Sequence, residues 1–208
     1  MLEINHVCSL GSLCHSSEIL KRNKFKVCSY PFDWIFSNWN TIIHCIEDNF
    51  KTFLDKSYYI DISQMMCGHS KYNERMFAHH NPLINADHYN YYVRCVNRFK
   101  ELLQKQEHKL FTMIFVNEEH NSHDVNFKKN IIDFNCKFSK YTSNYTLLVI
   151  INYPNNETNH HTFTYTDNIH FLNLYTLSLS DGSNFCNIND NIYLDNIIKK
   201  NYNFNIKN

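Results

Sequence analysis

The stretch Cys8-Ser9-Leu10-Gly11-Ser12-Leu13-Cys14 joins a short apolar run, Ile4 to Leu10, to a segment, Cys14 to Lys24, that reads as a helix. The chain has only 3 Gly in 208 residues, and one of them stands in this stretch. A strand that turns through glycine straight into a helix is the opening unit of a layered α/β domain. The same turn puts Cys14 in the first helical turn, where unpaired backbone N–H groups and the helix dipole favour an anion. A thiolate is such an anion, and a cysteine so placed can have its pKa lowered to roughly 3.5–7.5. Cys14 is therefore a candidate nucleophile.

Outward from this turn the pattern alternates. Val27 to Trp34 is short and irregular, with Pro31. Trp39, Ile42, Ile43, Ile46, Phe50 and Phe53 recur at helical spacing and predict an amphipathic helix over 38–54. In 56–88 only Tyr58 to Ile62 reads as a short strand, and the rest is polar and rich in histidine. Tyr89 to Gln106 predicts a second amphipathic helix, and Leu110–Val116 a strand buried on both faces. A helix over Asn126–Tyr141, a buried strand over Tyr145–Asn152, a polar loop over Pro154–Asp167, a strand over Ile169–Tyr175, a turn at Asp181-Gly182 and a helix over Ile192–Tyr202 complete the reading. The expectation is one α/β domain over residues 1–208, with a central, mostly parallel or mixed sheet flanked by helices. In such sheets ligands gather at the carboxyl ends of the strands, which brings the Gly11–Cys14 turn and the loop Asn117–Asp124 to one edge.

Lys+Arg and Asp+Glu both number 20, a net charge of +0, which argues against nucleic-acid binding through bulk charge. The 8 cysteines show no C-x-x-C pair or regular spacing, no signal peptide is apparent, and no apolar run is long enough to span a membrane. A reduced, intracellular (cytoplasmic) protein without a membrane partner is expected. At this length about 70% of the unfolded surface is buried on folding, so no disulfide or metal staple is needed. Asn, Ile, Lys and Tyr are abundant, as in an A+T-rich coding genome, so most surface asparagine reads as compositional drift.

Two blocks resemble a known family. Cys8–Cys14 resembles its SLGSxC block, and Ser29-Tyr30-Pro31-Phe32-Asp33-Trp34-Ile35 its S-x-PFDW block. The family is that of papain-like cysteine peptidases defined as a domain of unknown function in bacteria and in large DNA viruses of eukaryotes. Phe77-Ala78-His79-His80 resembles its F-x-H-D block, Tyr92–Phe99 its Y-x-RR-x-x-RF helix, and Phe115-Val116 its FVR strand end. Cys95 stands where the family's second Arg is usual, His80 where Asp is common, and Asn117 where Arg is common. The resemblance spans roughly residues 5 to 152 and implies a thiol hydrolase, with a papain-like α+β arrangement as the alternative fold.

A cysteine hydrolase needs a thiolate, a histidine that relays the proton, and usually a polar group that orients the histidine. Cys14 fits the first role. His79, in the block matching the family's histidine, is the preferred base, with His80 beside it as the fallback. His15 projects roughly 100° away from Cys14 around the helix and is not the expected partner. Asp33, among Pro31, Phe32 and Trp34, is either an orienting carboxylate or a structural group that caps a helix or pairs with Arg98, Arg94 or Arg22. Backbone N–H groups around Ser12–Cys14 could form an oxyanion hole. The loop Glu118–Asp124 and the pair His160-His161 hold metal-ligand residue types in no familiar arrangement, so neither metal nor cofactor is expected. The leading function is a thiol hydrolase or peptidase acting on a protein or peptide. A non-catalytic interaction module, or an α/β transferase or esterase acting on a small molecule or glycan, is the alternative.

Overall fold

The computed structural model describes residues 3–119 and 125–206. Its elements in chain order are β1 (Glu3–Ile4), β2 (His6–Ser9), α1 (Cys14–Arg22), α2 (Trp39–Glu47), α3 (Lys51–Leu54), β3 (Tyr59–Ser63), β4 (Met66–His69), β5 (Asn73–Phe77) and α4 (Ala86–Gln104). They continue with β6 (Lys109–Phe115), α5 (Val125–Phe138), β7 (Tyr145–Tyr153), β8 (His160–Thr166), β9 (Ile169–Tyr175), α6 (Ile188–Asn201) and β10 (Asn203–Phe204).

The two longest apolar runs, β6 and β7, lie side by side and parallel at the middle of a five-stranded sheet of order β2-β6-β7-β9-β8. β2 and β9 extend it in parallel, and β8 adds an antiparallel edge. The pleat splits each run between two cores. Phe111 and Met113, with Leu147, Val149 and Ile151, face a core filled by α2, α3, α4 and α5. Leu110 and Ile114, with Leu148 and Ile150, face a second core closed by α1 and α6. This is the helix-flanked, mostly parallel sheet expected from the alternation, and the papain-like α+β arrangement is not what forms.

Three segments differ from the sequence reading. The helix expected over 38–54 breaks into α2 and α3 because Asn49 and Phe50 are both left-handed, at φ 58° and 62°. That turn directs the Phe50 ring into the core, 5.8 Å from Phe32 and 5.9 Å from Phe99. The histidine-rich region of 56–88 contains a separate antiparallel sheet, β3-β4-β5. The polar loop expected over 154–167 contains β8, whose residues are mostly exposed, so alternation lacked an apolar face to reveal it.

Asparagine does much of the local work that glycine does elsewhere. Asn38, Asn85 and Asn187 cap α2, α4 and α6 with side-chain oxygens. Asn49, Asn117, Asn144 and Asn155 occupy left-handed positions, which asparagine tolerates better than most residues because its short side chain bonds locally.

Residues 25–32 carry the chain from one core to the other, from Phe25 on the α1 side to Phe32 on the α4 side. β2 is the edge strand at this point. The segment that follows then presses on the opening turn. Gly11 sits at φ 81°, and a Cβ there would lie 2.3 Å from Ser37 Oγ and 3.0 Å from the Phe32 carbonyl oxygen. Ser37 Oγ also donates to the Leu10 carbonyl at 3.2 Å. The SLGSxC and PFDW blocks are thus two halves of one contact.

Gly11→Ala is expected to lower unfolding stability by about 2–5 kcal/mol, the left-handed φ and the overpacking acting together. Ser37→Gly in the same chain should restore part of the loss in urea titrations. A loss below about 1 kcal/mol, within the ordinary cost of left-handed alanine, would show that the close approach carries no weight.

Candidate active site

Cys14 is the first residue of α1, behind Leu13 in extended conformation at φ −140°. A leucine side chain has no acceptor, so this helix start is uncapped by its own residue. The turn is held instead by Ser12, left-handed at φ 38°, whose hydroxyl donates to the Ile114 carbonyl at the end of β6. Ser16, one turn further, donates to the Thr112 carbonyl at 3.1 Å and exchanges a bond with its hydroxyl at 2.8 Å. Strand β6 thereby fixes both the height and the rotation of α1.

His79 arrives from the other sheet. Met76 and Phe77, both fully buried, end β5 and anchor the exit, after which Ala78 leads to an exposed His79. The Phe36 N–H donates to the Met76 carbonyl at 3.0 Å, so residues 32–37 hold the His79 arm as well as the Gly11 turn. Cys14 Sγ and His79 Nε2 lie 3.3 Å apart, within hydrogen-bond reach for sulfur. Among the described residues no carboxylate bonds His79. His80, which shows no hydrogen bond to Cys14, stacks on Tyr91 at a centroid distance of 4.6 Å.

Burial, and then the Glu18 carboxylate, push the Cys14 thiol up from its ordinary value, and its own backbone N–H offsets only part of this. Removal from water thus acts against the lowering that the helix terminus favours.

The pair lies between two open depressions. One, of about 450 Å³, is lined by Glu18, Lys21, Trp34, His80 and Tyr91. The other, of about 410 Å³, is lined by Leu13, Phe36, Ala78, Val116, Asn117 and the 180–183 turn. Cys14, His79 and Ser183 border both. Asn117 does come to the same edge as Cys14, while His120 to Asp124 of the possible metal loop lie outside the described residues.

Asp33 is completely buried. Its carboxylate pairs with Lys26 and accepts the Tyr30 N–H at 2.7 Å. Burial pushes its pKa up, against the pull of Lys26, the Tyr30 N–H and the Ser17 hydroxyl. Two of the three arginines named for it are engaged elsewhere: Arg22 forms a bidentate pair with Asp195, and Arg98 donates to the Ser29 carbonyl. Asp33 therefore closes the turn that precedes residues 34–37 and makes no hydrogen bond to His79. His160 stacks on Tyr175, and His161 bonds the Tyr193 hydroxyl at 2.8 Å. No group of three potential metal ligands forms among the described residues.

Sequence reading missed the 176–190 segment, which covers the start of α1. The His15 N–H donates to the Gly182 carbonyl at 2.9 Å, and the fully buried His15 ring shares a 2.8 Å bond with Ser180 Oγ. The only signal available was the Asp181-Gly182 turn, which carries no hint of its partner 165 residues away.

The family model described as "Putative papain-like cysteine peptidase" matches residues 5–66. That segment contains both quoted blocks and Cys14, so the resemblance stands there on a second footing, while His79 lies beyond it. At the level of the family, the match points to a papain-like cysteine peptidase. No curated protein and no solved structure matches the chain.

Burial, reinforced by Arg22, pushes the His15 pKa down to about 3. The folded state thus binds this proton more weakly than the unfolded chain, whose histidine titrates near 6.5. The stability from neutral His15 is complete above pH 6.5 and is lost as pH falls toward 3, at on the order of 1 kcal/mol per pH unit. Urea unfolding from pH 7 to pH 4 should show this slope in the wild type and a shallower one in His15→Gln. Parallel curves would mean that His15 is protonated in the fold.

Proposed function

We propose that this chain is a thiol hydrolase of the peptidase kind, with Cys14 as nucleophile and His79 as the general base and acid. The observation that carries the reading is the 3.3 Å approach of Cys14 Sγ to His79 Nε2 at the border of two open depressions. The thiol lies within hydrogen-bond reach of the imidazole, so His79 takes its proton as sulfur attacks. Sulfur adds to the substrate carbonyl carbon, and the oxygen gathers negative charge beside the N–H groups of the Ser12–Cys14 turn. Collapse breaks the carbonyl–nitrogen bond, and the leaving amine receives the proton from His79. Water, deprotonated by His79, then cleaves the thioester, giving the acid and returning the proton to Cys14.

Asp33 supports this pair at a distance by locking the turn that holds both arms. Space on either side of the sulfur suits an extended peptide or protein substrate better than a small molecule, which a single deep pocket would enclose. A purely adhesive module would have no need of a histidine against this thiol. Balanced charge gives no basis for a nucleic-acid partner. No helix among the described residues is long and apolar enough to cross a membrane. Eight free thiols suit a reducing compartment, where Cys14 stays available.

A peptidyl vinyl sulfone should label the wild type at Cys14 faster at pH 7 than it labels free cysteine. Cys14→Ala abolishes the adduct, and His79→Ala slows it by about 100-fold, the lower end of what a positioned base contributes. His80→Ala should leave the rate within a factor of a few. Labelling of Cys14 no faster than free cysteine sinks the nucleophile assignment.

A further inference from the structure

Beyond the thiol and the imidazole, a polar network runs along the carboxyl edge of the sheet to the residue next to Cys14. Asn117, just past the end of β6, holds Ser180 in a two-bond embrace. Its Nδ2 donates to the Ser180 carbonyl at 2.8 Å, and its Oδ1 accepts the Ser180 N–H at 2.7 Å. Asn117 is in turn fixed by Asn152 near the end of β7, whose Oδ1 accepts its N–H at 3.2 Å. Asn152 Nδ2 donates to Thr176 Oγ1 at 2.7 Å, just past the end of β9. From the other side, the fully buried Asp190 accepts the Leu177 and Ser178 N–H groups at 3.2 and 2.9 Å and the Ser178 hydroxyl at 2.6 Å.

These links hold residues 176–180, and the 180–182 turn that continues them grips His15 twice: through its ring at Ser180 Oγ and through its backbone N–H at the Gly182 carbonyl. His15 follows Cys14 directly, in a helix start that Leu13 cannot cap. We propose that Asn117 and His15 are positioning residues of the candidate site: through the Ser180–Gly182 turn they fix the first turn of α1 and aim Cys14 Sγ at His79. The proposal rests on the function proposed above. It adds that the last third of the chain, outside the segment the family model matches, completes the site.

An amide bonded to backbone at two points is also a stability element, so the test must separate aim from mere stability. Asn135 serves as the control. It lies where α5 meets the opposite end of the sheet, donates to Asn168 Oδ1 at 2.9 Å and accepts from the Tyr145 hydroxyl at 2.7 Å. Labelling by the peptidyl vinyl sulfone is measured across pH, with thermal unfolding, for wild type, Asn117→Ala, Ser180→Ala and Asn135→Ala, each with and without His79→Ala. Ser180→Ala removes a single hydroxyl and keeps the test open if Asn117→Ala does not fold.

Misaiming by about 1 Å should slow Cys14 labelling by up to about 100-fold in the Asn117 and Ser180 variants. In those backgrounds His79→Ala should slow it no further, because the coupling between thiol and base is already gone. Asn135→Ala should unfold earlier yet keep the wild-type rate and the full His79 effect. Wild-type rates with an undiminished His79 effect in Ser180→Ala and in any folded Asn117→Ala overturn the positioning role while leaving the proposed function intact. A wild-type Cys14 no faster than free cysteine overturns both.

Discussion

The structure depends on one close approach, that of residues 32–37 to the Gly11 turn. The space a Cβ would fill at Gly11 is taken by Ser37 Oγ and the Phe32 carbonyl. The same segment receives the His79 arm through the Phe36–Met76 bond. Phe32 roots it in the larger core by an edge-to-face contact of 5.4 Å with Phe99, and the Lys26–Asp33 pair closes the turn before it. One short stretch therefore sets the distance between two arms that come from different sheets. A buried ion pair is weak evidence for stability, because the desolvation of two charges offsets most of their attraction. Breaking it by removing one partner is another matter, since it strands a charge in the core. The Lys26–Asp33 pair is better understood as a device for fixing a turn.

The main sheet contributes rigidity and an edge. Its parallel strands bury both faces, so the loops at their carboxyl ends are where polar chemistry can collect. Asn152 and Thr176 are buried polar residues at or near those ends, and Thr112 is one in the middle of β6, each with a hydrogen-bond partner. The pattern satisfies groups that would be costly to bury alone. It also converts the sheet's order into the placement of α1, whose first turn is bonded to β6 on one side and to the 180–182 turn on the other.

Much of this was legible in the chain. β6, β7 and β9 announced themselves as apolar runs, α4 as a helical repeat, and the Gly11 turn as a strand-to-helix joint; both SLGSxC and PFDW pointed to the place of the candidate site. What stayed hidden has physical reasons. β8 is an exposed edge strand without an apolar stripe. α2 and α3 look like one helix until two left-handed residues divide them. Asp33 announced that it needed a partner but not which, and Lys26 lies only seven residues upstream. The thiol's raised pKa follows from burial that only tertiary packing creates. Asparagine, set aside as compositional drift, turned out to supply three helix caps and four left-handed turns.

Cys14 and His79 are carried by separate sheets, and this bears on the order of assembly. The five-stranded sheet and α1 contain the thiol but not its base; the three-stranded sheet contains the approach to the base but not the thiol. A chain that has closed the first and not yet docked the second has no dyad, and its sulfur is an ordinary thiol. On the assignment proposed above, the reactivity of Cys14 depends on the two sheets being docked. The same separation makes the reactivity of a single sulfur atom a reporter of whether the two sheets have come together.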